Sequence, residues 1–176
     1  MVTVRLATPP DMPAVHRLCH DCYVATGELA PRPDGQCQLY PHLDESPDTK
    51  VWVAERQADV VGSISATLDG PAGLHTDIDF PLETETIRCE PRDGVLACSW
   101  RILVTPQYRS GASVVKALVE RVQLWCREKN VTTCLMIFPL RQVRTYEKWL
   151  GFTFVKQHES LLGMRTGPVV LMRGDA

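Results

Sequence analysis

Between Thr105 and Ser113 the chain reads TPQYRSGAS, a basic turn with a single glycine, set between the apolar run CSWRILV and a long amphipathic run. A strand that enters such a turn and leaves it as a helix makes an anion site. The first amides of the helix have no partner within it, and the dipole adds positive character there. Arg109 supplies a fixed charge suited to phosphate, and Gly111 lets a ligand approach the main chain. Ser110, Ala112 and Ser113 complete the turn and the start of the helix. The chemistry implied is capture of a phosphorylated carrier, coenzyme A or a phosphopantetheine arm.

Other reactive types are scattered along the chain. Cys98 opens the run before the turn. A nucleophilic cysteine needs an activating histidine or a lowered pKa, and no histidine is near it in sequence, so Cys98 reads as a small hydrophobe on a buried strand. The heptapeptide HRLCHDC brings His16, Cys19, His20 and Cys22 within two helical turns. Four ligands on one helix face cannot close a tetrahedron, and no second C-x-x-C or H-x-x-x-H appears, so no metal site is expected. His75, Asp77 and Asp79 fall in a stretch read as a loop, where His75 is the candidate base and a solvated surface role is the plainer alternative. Asp69-Gly70-Pro71 is a turn by composition.

The elements that position these groups fit in one domain spanning 1–176. The chain has 176 residues, 44% hydrophobic and 23% charged, enough to bury a core of its own. The net charge of −2 argues against a general nucleic-acid binder, while Arg141 and Arg144 form a local basic cluster suited to docking. Seven cysteines, dispersed in apolar segments without a secretory signal, point to reduced thiols and a cytoplasmic location. No apolar run approaches the ~18–20 residues that cross a bilayer, so no membrane span is expected.

Alternation predicts a first strand over Val2–Ala7, stopped by Pro9-Pro10. Asp11 is placed to cap a helix over Met12–Tyr23, with Val15, Leu18, Cys19 and Cys22 on one face. Gly27 to Asp48 has no clear period and reads as a long loop with a short helical turn. KVWVAE and VVGSISATL, parted by RQAD, form a β-hairpin signature. Leu82–Arg88 is helical, Val95–Val104 is a central strand, and Ser113–Lys129 is the strongest helix. A buried strand comes next over Val131–Phe138, then a helix over Val143–Leu150 ended by Gly151. Phe152–Lys156 and Val169–Arg173 are late strands.

This order, with YRSGA after the central strand and a closing LGF, resembles the GCN5-related N-acyltransferase (GNAT) superfamily over nearly the whole chain. Within it, four stretches look like N-acyl amino acid synthases and acyl-homoserine-lactone synthases. LCHDCYVATGEL is similar to their LRxxVYVxExG, and GSISATLDGPAGLHTDIDF to their GTxRLxxDSPxGLPxDxxF. ACSWRILV is similar to AExSRLAV, and TYEKWLGF to FYxxxLGF. The resemblance implies an α/β (α+β) fold: a mixed, mostly antiparallel sheet, splayed near Val104 and Ile137, with helices on both faces.

It also implies acyl transfer from a phosphopantetheine thioester, acyl-CoA or acyl-acyl carrier protein, to a small amine such as an amino acid, without a metal. Free amides from about Ile102 to Val104 would hold the donor and polarise its carbonyl, and Tyr146 would protonate the leaving thiolate. Asp69, by its match to DSP, and Trp100, Arg101 and Cys98, by their place on the strand, fall on the acceptor and acyl side. The family's arginine in LRxx is Cys19 here and its AExSR glutamate is Cys98, so no carboxylate on the central strand can act as base. Two other readings keep the fold: an acyl-binding or regulatory module, and an acetyl-CoA-dependent acetyltransferase of a small amine.

Overall fold

The structure, a computed structural model, describes residues 2–109, 113–161, 164–165 and 167–175. Strand β1 (Thr3–Leu6) leads through a short 3-10 turn into helix α1 (Met12–Ala25), succeeded by the single turn α2 (Pro41–Asp44). Strands β2 (Thr49–Arg56) and β3 (Asp59–Leu68) precede α3 (Thr76–Asp79) and α4 (Pro81–Arg88). Then come β4 (Val95–Val104), α5 (Ser113–Glu128), β5 (Val131–Pro139), α6 (Val143–Leu150), β6 (Thr153–His158) and β7 (Val169–Asp175). The strands form one open sheet in the order β1-β2-β3-β4-β5-β7-β6. Every neighbouring pair is antiparallel except β4 and β5.

Alternation divides the core between the two faces of the sheet. On one face, Val114, Leu118, Val122 and Trp125 of α5 pack on Trp52, Ile64 and Ala97. Under α6, Phe138, Val143 and Phe152 pack on Met136 and Met172. On the other face, Leu96, Cys98 and Trp100 of β4 meet Leu43, Leu74, Phe80 and Ile87 from the α2–α4 region. Leu18, Cys19 and Cys22 of α1 pack on Leu103 and Cys37. Helices therefore cover both faces, as the resemblance implied.

Local chemistry accounts for most boundaries. The β2–β3 turn puts Gln57 and Ala58 at φ of 52° and 69°, the twist a tight hairpin requires, although neither is glycine. Gly151 ends α6 in the left-handed region at φ 71°. Two expectations need correction. Asp11 stands just before α1 but does not cap it; its carboxylate turns back to Arg5 Nη1 at 2.7 Å and the Thr8 amide at 2.6 Å. The stretch around His75 to Asp79 is not a solvated loop, because it forms α3 with Thr76 and His75 buried. Its apolar residues, Leu74 and Phe80, pull the segment onto the sheet.

Strand β4 is irregular on both edges. Its parallel pairing with β5 ends at Cys98 opposite Leu135, so beyond that point the two strands part. On its other edge, Ser65 pairs with Trp100 and Ser63 with Leu103, leaving Ile64 opposite both Arg101 and Ile102. That is a β-bulge, and Arg101 occupies it at φ 55°.

Candidate active site

The parting of β4 from β5 opens a cleft of about 360 Å³. One wall is the main chain of Ser99–Val104, the other Met136–Pro139, with Tyr146 of α6 and Cys22 and Tyr23 of α1 at the sides. The Thr105 amide donates to the Val61 carbonyl across β3. Backbone groups alternate sides along a strand, so Val104 and Ile102 turn their amides to the unpaired edge and into the cleft. Unpaired amides in a partly dry cleft are hydrogen-bond donors awaiting an acceptor.

The bulge decides where the Arg101 side chain goes. Arg101 and Trp100 lie on the same face, where strict alternation would have parted them. The guanidinium is fully buried against Asp44, itself 4% exposed. Nη1 and Nη2 donate to the Asp44 carboxylate at 3.0 and 2.7 Å, and Nε and Nη2 donate to Ser65 Oγ at 3.1 and 2.7 Å. His16 Nε2 adds a contact to Asp44 at 3.2 Å, and the guanidinium carbon stands 4.5 Å from the Trp100 ring centre. Arg101 thus gives the cleft its main chain, while its charge is neutralised behind it.

Arg109 lies exposed at the cleft rim. Its Nε donates to the Val104 carbonyl at 2.8 Å. Ser113 begins α5, whereas Ser110, Gly111 and Ala112, the remainder of the expected anion turn, lie outside the described residues. Tyr146 faces the cleft, its ring stacked on Phe138 with centroids 3.8 Å apart. Burial raises its phenol pKa above the usual 10, so it keeps its proton at neutral pH. A second, more apolar pocket of about 190 Å³ lies between α5 and the sheet, walled by Val119, Val122, Cys126, Leu150 and Phe152. It shares Ser99 and Met136 with the cleft, so the two spaces adjoin.

Of the other residues singled out in the sequence, Cys22 and Trp100 border the cleft and the rest lie away from it. Cys98 is fully buried, and burial pushes its thiol up to about 12. His75 packs beside Tyr40 and Trp100, with ring centres 5.5 and 6.3 Å away. Its Nδ1 is buried without a partner among the described residues, and burial lowers its pKa to about 3. The Trp100 indole donates to Thr67 Oγ1 at 3.0 Å. Asp69 is not at the cleft; Arg88 of α4 binds its carboxylate at 2.9 and 3.1 Å and holds Asp77 at 2.8 Å. The HRLCHDC side chains are separately engaged, His16 with Asp44, His20 with Asp21 and the Arg32 amide, Cys19 with Cys37, and Cys22 with the Val104 carbonyl. Among the described residues no three His, Cys, Asp or Glu converge on a metal position.

Two residues gain weight only from the structure: Asp44, which neutralises Arg101, and Glu28, which faces the cleft beside Arg141 of the basic cluster. Glu28 comes directly after the helix-ending Gly27, a spacing visible in sequence, but nothing local ties it to a strand some seventy positions away.

An open mixed sheet, splayed beside a bulged central strand, is the fold of the GCN5-related N-acyltransferases. The chain belongs more narrowly to the N-acyl amino acid synthase FeeM family, whose model matches residues 14–175, and it is an acyltransferase. The structure of FeeM, an N-acyl amino acid synthase from uncultured soil microbes, superposes with a TM-score of 0.83 at 18% identity, covering 99% of this chain and 91% of that one. That of a CoA-dependent acyl-homoserine lactone synthase, BjaI, with SAM and isopentyl-CoA, gives 0.69 at 18% identity, covering 99% and 83%. A GNAT acetyltransferase from Streptococcus pneumoniae gives 0.66 at 15% identity, covering 99% of each chain. At these identities the structural likenesses bear on the fold alone. Among curated proteins no sequence match is found.

Proposed function

We propose that this acyltransferase moves an acyl group longer than acetyl from a phosphopantetheine thioester to the amine of a small molecule, with an amino acid the leading acceptor. The observation that carries this reading is the free edge of β4 with a protonated phenol and an apolar pocket on the far side of the gap. The pantetheine amides lie along the open edge and replace the missing β5 bonds. The thioester oxygen accepts from the Ile102 or Val104 amide, which stabilises the charge that develops as the amine attacks. Tyr146 gives its proton to the departing sulfur. A raised phenol pKa favours this, because the group is protonated at every pH where a thiolate leaves.

The apolar pocket argues against simple acetyl transfer. Its volume of about 190 Å³ equals roughly six waters, far more than a methyl group fills. At the rim, Arg109 lines the cleft, and Arg144 is exposed on α6. This charge suits the phosphates of coenzyme A, and equally the phosphate and acidic surface of a carrier protein.

The test is transfer itself. Purified enzyme is given acetyl to palmitoyl groups on coenzyme A and on acyl carrier protein, with a panel of amino acids, and products are weighed by mass spectrometry. An N-acyl amino acid from a chain longer than acetyl is expected. Turnover of acetyl donors alone, or none with any donor, would overturn the reading. Arg109→Ala should weaken donor binding by about 1.5–3 kcal/mol, the worth of a charge-assisted contact, and flatten its salt dependence.

A further inference from the structure

Glu28 faces the cleft from the α1 side, just past the turn that ends that helix. Gly27, at φ 75°, makes the turn that aims it. Its main chain is tied down at both ends: its amide donates to the Tyr23 carbonyl at 2.9 Å and its carbonyl accepts the Arg165 amide at 3.1 Å. The residue is 9% exposed, and it is the one carboxylate among the described residues that line the cleft. Its ion-pair partner among those residues is Arg141, with Nη2 3.6 Å from Oε1 and a side chain 63% exposed. That separation is too long for a hydrogen bond. A carboxylate this buried is ordinarily hydrogen-bonded, and the side left open here is the cleft.

We infer that Glu28 receives the ammonium of the acceptor and takes the proton it must lose, while Arg141 swings to hold a carboxylate on the same molecule. The inference rests on the acyl-transfer reading above and specifies its acceptor as an α-amino acid, or another compound with a carboxylate close to its amine. Such a zwitterion replaces one loose ion pair with two closer ones. The other titratable groups that line this space, besides Arg101 and Arg141, are Tyr23 and Cys22 on α1, Arg109 after β4, and Tyr146 on α6. None of them is a carboxylate, and Arg101 is closed on Asp44.

Every proton in this step has a source and a destination. The ammonium gives one proton to Glu28, which passes it to water. The freed nitrogen attacks the thioester carbon, and a C–N bond forms. As the C–S bond breaks, Tyr146 protonates the sulfur and regains a proton from the nitrogen, leaving a neutral amide and a free thiol. Glu28 thereby fills the role left vacant where the family's strand carries glutamate and this chain carries Cys98.

The test compares wild type, Glu28→Gln and Arg141→Gln, with a working acyl donor, on amino acids and their decarboxylated amines between about pH 6 and 10. Glu28→Gln is expected to lower kcat/KM for the acceptor ~10²-fold near neutral pH, with a loss that shrinks as the acceptor amine deprotonates unaided and a donor KM that stays put. Arg141→Gln is expected to erase a preference of ~10-fold or more for the amino acid over its decarboxylated amine. A Glu28→Gln pH profile that superposes on wild type would overturn the inference while acyl transfer stands. Failure of wild type to acylate any amine would overturn both. Should Glu28→Gln not fold, an unchanged acceptor preference in Arg141→Gln overturns it alone.

Discussion

The two halves of β4 have the same neighbour on one edge and opposite circumstances on the other. Val95–Cys98 is bonded to β5 throughout and, at Ala97 and Cys98, to β3 as well, and its side chains are packed from both faces. Ser99–Val104 has only β3. The lower half is held by the ladder itself. The upper half is held from behind by Arg101 locked on Asp44 and Ser65, and at the cleft rim by Arg109 on the Val104 carbonyl. An open strand edge in a protein interior has unsatisfied amides, so it persists only if side chains fix its course and a ligand completes its bonds. The lower half stabilises the fold, and the upper half keeps donors free for substrate.

The sharpest way to break this contrast is to remove the brace. Asp44→Ala leaves the Arg101 guanidinium buried without its counter-charge, and removing one partner of a buried pair costs about 3–5 kcal/mol. Chemical denaturation should show that loss, together with poorer donor binding as the bulge relaxes. A variant of wild-type stability would mean the ladder to β3 alone holds the upper half.

Tyr146→Phe sharpens it from the far side of the gap. The ring keeps its stack on Phe138, so stability should change little, while kcat falls by about 10²-fold if the hydroxyl protonates the thiolate. Because burial raises the phenol pKa, the wild-type rate should not decline on the basic side through this group below about pH 10. A kcat within a few-fold of wild type removes Tyr146 from the chemistry.

His75 tests the packed side. Its folded pKa of about 3 lies below the ~6.5 of an unfolded histidine. The unfolded chain therefore takes the proton first. Stability should fall as pH drops below about 6.5, by up to ~1.4 kcal/mol per pH unit, and level off near 3. His75→Phe should flatten that slope in urea titrations at acid pH. An equal slope in both proteins would show that water reaches the ring. The smallest effect is expected at Cys98, the last paired residue. Its thiol, pushed up to about 12 by burial, is protonated at neutral pH. Cys98→Ala should cost about 1 kcal/mol of stability and leave transfer intact. An acyl adduct on Cys98, found by mass after donor is added alone, would instead make the mechanism a two-step one.

Much of this architecture was legible from local pattern. The α5 stripe of Val114, Leu118, Val122 and Trp125, the helix-ending Gly151 and the β-branched arms of β2 and β3 are each decided by neighbours within a few residues. Periodicity and turn chemistry report such neighbours directly. The run of β4 was legible as well, and its place beside a splayed partner came from the resemblance of its motifs. What the chain alone left open is whatever depends on partners far apart in sequence. His75 read as a loop residue, a candidate base or else solvated, because its own segment is polar; only Leu74 and Phe80, drawn into the core beneath α3, show it to be buried. Arg101 read as facing substrate by its place on a strand that resembles the family's. One extra residue in the bulge turns its side chain behind the cleft, and a side chain fifty-seven positions away at Asp44 takes the charge. Glu28 carries no local mark, and Arg141 is marked only as part of a basic cluster, because a site formed between two diverging strands exists only once those strands have parted. Sequence determined the elements, through short-range sterics and burial. Tertiary structure decided which charges are neutralised and which remain to meet a substrate, since that depends on distance in space and on how far water is excluded.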